Sequence, residues 1–236
     1  TREIAILSRV GKPTCFIVTD IDESTDPPTA WLSRTIVQQK AQDRMLDSLR
    51  PGDVIPARVT HLEPFGAFVD VGCGVPSLIG IENLSVSRIC HPSDRLTVGQ
   101  SILAAVRTVE PENRRISLTH RELLGTWAQN AALFSVGETV RGVVRSIEPY
   151  GVFIELTPNL SGLAEPRADL HPGMAVSVYI KSILPQRMKV KLTIIDVLSP
   201  YDAPTPPRYF ITGGHIDAWT YTPVGCDKKP VKTVFE

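Results

Sequence analysis

The chain has 236 residues, of which 42% are hydrophobic, so it holds enough apolar material for one large core or for two to three small ones. Its 25 Lys and Arg residues balance 25 Asp and Glu residues, and a formal net charge of zero gives no global field toward nucleic acid or an anionic membrane. The longest apolar runs fall far short of the roughly 20 residues that a membrane-spanning helix needs. This composition excludes a wholly disordered chain, and any binding of a charged ligand must come from local patches.

Cysteine and proline usage narrows the class of protein. The cysteines lack the spacing of a metal site and the density of a disulfide framework; they are Cys15, Cys73, Cys90 and Cys226. We therefore expect no metal site and a reducing, cytoplasmic setting. The 20 prolines exceed the average share of about 5% and, with the glycines, divide the chain into many short apolar runs. This pattern favours an all-β chain over a helical bundle.

The chain contains an internal repeat. Residues 52–71 match residues 137–156 without a gap at a constant offset of 85. A later block, residues 98–119, matches residues 172–193 at an offset of 74, so the second copy is shorter by about eleven residues. Because a missed repeat would misassign the whole fold, these offsets decide how the chain is divided.

Residues 1–48 are predicted to be the second half of one unit followed by a linker helix. The later block appears here a third time, in Val10–Asp22 and Ala30–Arg34. The segment Ser33–Leu49 places its apolar residues on one stripe, begins with a serine suited to an N-cap and ends before Pro51. This first unit is therefore expected to lack its opening strands.

Residues 49–120 and 136–197 are each predicted to form a complete unit of five short strands. Apolar and polar residues alternate along these strands, and five strands in about 70 residues suit a small closed barrel without exposed edges. Gly66 and Gly151 lie inside strands, where glycine is typical of a bulge or a sharp bend. Between the units, at residues 121–135, we expect a helical connector interrupted by a glycine.

Residues 198–236 are predicted to form a Pro-rich spacer and a C-terminal β-hairpin extension around Gly213–Gly214. His215, with Asp217 and Cys226 nearby, has the residue types of a nucleophilic site, but no recognisable nucleophile motif accompanies them. We interpret the glycines as a turn between two strands. No phosphate-binding loop or dinucleotide fingerprint occurs, so neither a cofactor nor an enzymatic activity is expected.

Both complete units carry an ordered motif. It runs G-x-V/I-x-x-x-V, aromatic-G-x-F-V/I, a Gly/Ser-Leu turn, V-G-x and R/K-I/V-x-L-S/T, and it resembles the S1 RNA-binding domain. The resemblance implies an all-β fold of tandem five-stranded OB-fold barrels, joined by short helices and followed by a C-terminal β appendage. Two copies plus half of a third are most similar to the multi-copy ribosomal members of the family.

The resemblance also implies a function and a partner. Members bind single-stranded RNA, so we expect a non-enzymatic, mRNA-binding protein that acts in translation near the small ribosomal subunit, with no membrane and no small-molecule cofactor. Two alternatives stay open: a protein-binding adaptor that docks on the ribosome or a nuclease, and an accessory segment of an RNA-processing enzyme. The zero net charge favours the adaptor.

RNA in this family lies across strands two and three, with aromatic residues beside the bend glycine and a basic residue on strand five. With neighbouring cations added, the corresponding RNA-binding candidates are Phe65, Phe68, Arg58, Arg114 and Arg115 in the first complete unit, and Tyr150, Phe153, Arg141, Arg145, Lys181, Arg187, Lys189 and Lys191 in the second. Each stacked base would contribute roughly 1 to 3 kcal/mol. The alternative for the aromatic residues is barrel core, because Phe65 and Phe68 would face opposite sides of a flat strand unless a bulge at Gly66 turned both outward.

The charges of the two complete units support RNA binding less strongly than the motif and the aromatic residues do. Residues 138–196 hold seven cations against six acids, so a solvated strand face is the alternative to a phosphate-binding track. In the first complete unit Glu63 and Asp70 lie close in sequence to the aromatic residues, and we expect this face to bind RNA more weakly. Many family members have a histidine where Gly80 and Glu165 stand here, and a carboxylate at Glu165 would repel phosphate.

Overall fold

Two closed, five-stranded barrels account for most of the secondary structure, which confirms the predicted fold class. The computed structural model describes residues 10–11, 14–198 and 206–236 of the chain. None of the helices in these ranges is both long enough and apolar enough to cross a membrane.

An antiparallel strand pair and a helix precede the first barrel. They are β1 (Ile17–Asp22), β2 (Thr29–Ser33) and α1 (Arg34–Ser48). Ser33 caps α1 as predicted, since its side chain accepts a hydrogen bond from the Ile36 amide at 3.3 Å. The assignment of residues 1–48 to half a barrel stays a prediction, and residues 1–9 lie outside the described residues.

The first barrel has its apolar residues alternating inward along short strands. Its strands are β3 (Val54–Glu63), β4 (Gly66–Asp70), β5 (Pro76–Gly80), β6 (Ser101–Glu110) and β7 (Arg115–Thr119). They close in the order β3-β4-β5-β7-β6, with β5 and β7 parallel and the other neighbours antiparallel. Val69 and Ile79 are fully buried in its core, and Met45 and Leu46 of α1 pack against that core.

The second barrel repeats this topology. Its strands are β8 (Thr139–Glu148), β9 (Gly151–Thr157), β10 (Leu160–Ala164), β11 (Ala175–Leu184) and β12 (Lys189–Val197). They close in the order β10-β12-β11-β8-β9, and β10 and β12 are the parallel pair. Val144, Ile154 and Ile180 are fully buried in its core.

The bulge expected at Gly66 lies elsewhere. The register between β3 and β4 shifts between Val59 and His61, whereas Gly66 pairs in register with Gly80 of β5. A side chain at Gly66 would overlap the carbonyl oxygen of Ile79. The glycine therefore permits the close approach of β5, and the second barrel shifts its register at the equivalent place.

The connector between the barrels contains a 3-10 turn (Arg121–Leu124) and the short helix α2 (Trp127–Ala131). Gly125 separates them at φ 85°, in the left-handed region that favours glycine, as the sequence predicts. Thr126 and Gln129 form a capping box at the start of α2.

The C-terminal segment carries a small antiparallel sheet, β13 (Ala218–Thr220) and β14 (Lys232–Val234). The predicted position of the hairpin turn is wrong. Gly213–Gly214 form a bend before β13, and residues 221–231 join the two strands. The bend lies there because the Gly214 carbonyl accepts a hydrogen bond from the Val54 amide at 3.0 Å, so this segment runs beside the start of β3.

The same segment is anchored by two buried aromatic side chains. Trp219 and Tyr221 are 5% and 6% exposed and belong to the core cluster of the second barrel. Residues 199–205 of the predicted Pro-rich spacer lie outside the described residues.

Residues 81–100, between β5 and β6, join the two barrels and contain the extra residues of the first copy. Arg95 donates to both carboxylate oxygens of Glu155 on β9, at 2.8 and 2.5 Å, and both side chains are buried. Arg145 of β8 lies 2.9 Å from the same carboxylate. Burial lowers the pKa of the Arg95 guanidinium, and the Glu155 carboxylate opposes that shift.

Asn159, fully buried in the β9–β10 turn, binds three other parts of the chain. Its side-chain oxygen accepts a hydrogen bond from the Val86 amide at 2.9 Å. Its amide nitrogen donates to the carbonyl oxygens of Arg121 and Gly125 at 2.8 and 2.7 Å, and its own carbonyl accepts from the Tyr221 hydroxyl at 2.6 Å. The first barrel, the connector and the C-terminal segment thus meet at one residue.

Candidate nucleic-acid interface

Each barrel has a pair of aromatic rings at the same place on its surface. In the first barrel Phe65 lies in the β3–β4 turn and Phe68 lies on β4, with ring centroids 6.0 Å apart at an angle of 88°. In the second barrel Tyr150 and Phe153 repeat this edge-to-face arrangement at 6.2 Å and 90°. Phe65 is 56% and Tyr150 is 66% exposed, and their partners are half-buried. Because the first ring of each pair precedes the strand, both rings reach the surface without a bulge at the glycine.

A groove of about 590 Å³ runs beside the aromatic pair of the second barrel. Lys181 of β11 and Lys189 and Lys191 of β12 line it. On β12 the exposed lysines alternate with buried Val190 and Leu192, since successive strand residues face opposite sides of a sheet. The groove therefore combines two rings with a row of ammonium groups.

One carboxylate also lines this groove. The Glu165 carboxylate lies 3.3 Å from the Lys181 ammonium, and both side chains are largely exposed, so their attraction is weak. The ion pairs formed by the described residues do not include Lys189 or Lys191. The two lysines of β12 can therefore meet an external anion.

The groove has a further lysine that the sequence analysis did not identify. Lys228, in residues 221–231 of the C-terminal segment, lines it together with the β12 lysines. The sequence signal was the adjacent pair Lys228 and Lys229 in a loop containing Pro and Gly. Only the path of the folded chain brings that loop to the second barrel.

The corresponding face of the first barrel is less basic. Arg115 is exposed at the position equivalent to Lys189, and Arg58 is exposed on β3. Ser117 stands where the second barrel has Lys191, and its hydroxyl oxygen lies 2.6 Å from that of Thr108 in a hydrogen bond.

Arg114 is held by the linker helix. Its guanidinium lies 2.7 Å from the Asp43 carboxylate and donates to the side-chain oxygen of Gln42 at 3.2 Å. The Gln42 side-chain nitrogen in turn donates to the Arg114 carbonyl at 2.6 Å. These contacts join α1 to the β6–β7 turn.

Three other predicted cations lie outside the groove of the second barrel. Arg141 and Arg145 line a separate cavity of about 310 Å³ beside the junction of the barrels, where Arg145 is paired with Glu155 and Asp94. Arg187 is exposed at the end of the 3-10 turn between β11 and β12. The fold thus places Arg141 and Arg145 in a cavity separate from the lysine row.

The acids near the first aromatic pair are engaged locally. The Glu63 carboxylate lies 2.7 Å from the His61 ring nitrogen. Asp70 accepts hydrogen bonds from the amides of Gly72 and Gly74 at 2.8 and 3.1 Å, so it stabilises the β4–β5 turn.

His215 joins the C-terminal segment to the first barrel. Its Nδ1 lies 2.7 Å from the Asp53 carboxylate and its Nε2 lies 3.5 Å from the Asp217 carboxylate. The hydrogen bond from His215 lowers the pKa of the Asp53 carboxyl. These contacts give the histidine a structural role.

His120, which follows β7, is fully buried, and burial lowers its pKa to about 4. The ring is therefore neutral at pH 7. Its Nδ1 lies 3.1 Å from the Leu84 carbonyl, and its Nε2 lies 3.1 Å from the Tyr209 hydroxyl. Since a carbonyl only accepts, Nδ1 is the donor and Nε2 accepts from the tyrosine.

Comparison with known proteins identifies the family of the first barrel. Residues 48–121 match the family model described as "S1 RNA binding domain". The first barrel is therefore an S1 domain, and the second barrel shares its topology. The predicted family is confirmed.

Individual relatives match a longer part of the chain than the family model does. Small ribosomal subunit protein bS1 of Staphylococcus aureus (strain COL) is 32% identical over 190 residues, which cover 73% of this chain and 48% of that protein. The bS1 protein of Staphylococcus epidermidis is 33% identical over 190 residues, with the same coverage. The chain is thus distantly similar to bS1 and spans about half the length of these relatives. The solution structure of GSP13 from Bacillus subtilis matches with 27% identity and a TM-score of 0.30, covering 36% of this chain and 60% of that one.

Proposed function

We propose that this protein binds single-stranded RNA, mRNA in particular, through its tandem barrels and acts in translation without catalysing a reaction. The observation that best supports this proposal is the exposed pair Tyr150 and Phe153 beside a lysine-lined groove. Every base has a face that stacks on an aromatic ring, and ammonium groups attract the phosphates between bases. Such binding has little sequence preference.

The proposal gives each barrel a share of the binding. In the second barrel, Tyr150 and Phe153 stack on bases, and Lys181, Lys189 and Lys191 contact phosphates. In the first barrel, Phe65 and Phe68 form a weaker stacking face with Arg58 and Arg115. The RNA-binding roles of Arg114, Arg141, Arg145 and Arg187 stay predictions from the sequence.

A zero net charge does not conflict with this function. Electrostatic attraction to a phosphate acts over about 8 Å at physiological salt, so the local lysine row matters more than distant charges. Two weak faces on one chain also raise each other's effective concentration along a long RNA.

The likeness to bS1 supports two further parts of the proposal. Those relatives are named as proteins of the small ribosomal subunit, and we propose the same partner and a cytoplasmic location for this protein. Co-sedimentation with purified small subunits tests the partner. Recovery of the protein only in the supernatant would leave RNA binding as its function without ribosome association.

Binding of a labelled, unstructured RNA of about 20 nucleotides across a salt series tests RNA binding directly. We expect micromolar affinity that weakens with salt. The double substitution Tyr150→Ala, Phe153→Ala removes two stacking contacts of roughly 1 to 3 kcal/mol each, so we expect at least a tenfold loss by order of magnitude.

Tyr179→Ala is the matched control, since Tyr179 is an aromatic residue of the same barrel that is 39% exposed on β11 and is not among the residues lining the groove. The control is expected to bind like the wild type. Absence of binding by the wild type at low salt would overturn the proposal and favour the protein-binding adaptor.

A further inference from the structure

The C-terminal segment contacts the second barrel at the turn between β11 and β12. The Asp227 amide, near the tip of the loop formed by residues 221–231, donates to the Gln186 carbonyl at 3.2 Å. The Lys228 amide lies 3.5 Å from the Cys226 sulfur in a weak hydrogen bond. These contacts hold the backbone at Lys228 and at the residue before it.

The base of this loop is held as well. The Tyr221 amide donates to the Val231 carbonyl at 2.9 Å, and the Val231 amide donates to the Thr222 hydroxyl at 2.9 Å. The Tyr221 ring is buried, and its hydroxyl donates to the Asn159 carbonyl. A loop anchored at its base and near its tip has less conformational entropy to lose when it meets a ligand.

The position of Lys228 changes the charge of the groove. With Lys228 the groove is lined by four lysines and one glutamate, Glu165, which is already paired with Lys181. None of the ion pairs among the described residues involves Lys228. Lys228 therefore lines the same open groove as Lys189 and Lys191 without a carboxylate partner among the described residues.

We propose that Lys228 is an additional phosphate-binding residue and that the C-terminal segment forms one side of the RNA path on the second barrel. This inference rests on the proposed RNA binding. The backbone of a single strand carries one phosphate per nucleotide, so a path with stacking rings needs cations at successive points. The loop supplies one cation from outside the barrel.

The test compares Lys228→Gln with Lys229→Gln in the full chain. Both residues are exposed neighbours in one loop, but only Lys228 lines the groove. The slope of log K against log salt is negative, and neutralising one phosphate of a single strand contributes about 0.7 to its magnitude. We therefore expect the slope for Lys228→Gln to be shallower by about 0.7. The loss of affinity for the 20-nucleotide RNA relative to the wild type should therefore be roughly threefold larger at about 50 mM salt than at about 200 mM salt. Lys229→Gln should keep the wild-type slope.

Circular dichroism melting of each variant verifies that the fold is intact. Equal slopes for wild type and Lys228→Gln, with binding still lost in Tyr150→Ala, Phe153→Ala, would overturn this inference alone. An equal decrease for both lysine variants would also overturn it, because a general field of the loop would then explain the effect. Absence of RNA binding by the wild type would overturn the proposed function as well.

Discussion

In both barrels a segment from outside the barrel contacts the turn between the fourth and fifth strands, but the two segments differ in charge. At the first barrel α1 brings Asp43, which pairs with Arg114. At the second barrel the C-terminal segment donates its Asp227 amide to Gln186 and brings Lys228 beside the groove. One topology therefore carries two different surfaces, and the flanking segments help to decide how much positive charge each barrel offers.

The barrels differ also in the connection between their third and fourth strands. The first barrel has residues 81–100 there, and the second has only residues 165–174. The longer connection carries Arg95 into the second barrel, where it binds Glu155. The extra residues of one copy thus build the junction between the two.

The largest expected effect concerns that junction. Arg95→Met leaves the buried Glu155 carboxylate with Arg145 as its remaining cation, and removing one partner of a buried pair costs about 3 to 5 kcal/mol. We expect the free energy of unfolding, measured by urea denaturation, to fall by about 3 kcal/mol. Arg167→Met breaks the exposed pair with Asp169 and should leave the free energy of unfolding nearly unchanged. A loss of stability in Arg95→Met as small as that in Arg167→Met would show that the ion pair at the junction contributes little.

The next effect depends on pH and belongs to the first barrel. His120 stands there where the second barrel has Ile194. Its folded pKa of about 4 lies below the unfolded value of 6.5, so the unfolded chain binds the proton more tightly. The stability from neutral His120 is complete above about pH 6.5 and is lost as the pH falls toward 4, with a total of about 3 kcal/mol.

Urea denaturation between about pH 4 and about pH 7 measures this dependence, and His120→Gln should flatten it. The exposed His171 of the second barrel is the control, and His171→Gln should leave the pH dependence unchanged. A pH dependence that His120→Gln does not alter would assign the effect to other groups.

The smallest expected effect comes from exchanging one charged residue between the binding faces of the two barrels. Lys191→Ser gives the second barrel the residue of the first, and Ser117→Lys does the reverse. We expect the first change to lower the slope of log K against log salt by about 0.7 and the second to raise it by up to about 0.7. If neither substitution alters the slope of RNA binding, β7 and β12 do not face the phosphates.

Much of this architecture follows from the sequence, because strand alternation and the cap of α1 are local features. Lys189 and Lys191 are exposed as the period of two requires. Ser33 caps its helix because its hydroxyl needs only the amide three residues ahead. The exposure of Phe65 was open because Phe65 and Phe68, three residues apart, would face opposite sides of one flat strand, whereas Phe65 precedes β4 in the structure.

The rest depends on contacts between residues far apart in the chain. Arg145 reads as a surface cation in the sequence, but the fold brings Asp94 and Glu155 to it. Lys228 reaches the groove only because the C-terminal segment runs back to the β11–β12 turn. Neither periodicity nor the repeat contains that information, and the unequal length of the two copies was the one visible sign of a special junction.

Asn159 has a consequence for how this chain could be divided. A fragment ending near residue 120, where the sequence repeat ends, would leave the Val86 amide without its acceptor and would bare the surface that the second barrel covers. A fragment without the C-terminal segment would remove Tyr221 from the core of the second barrel. The unit that repeats in the sequence is therefore shorter than the stretch of chain whose contacts hold the two barrels and the C-terminal segment together.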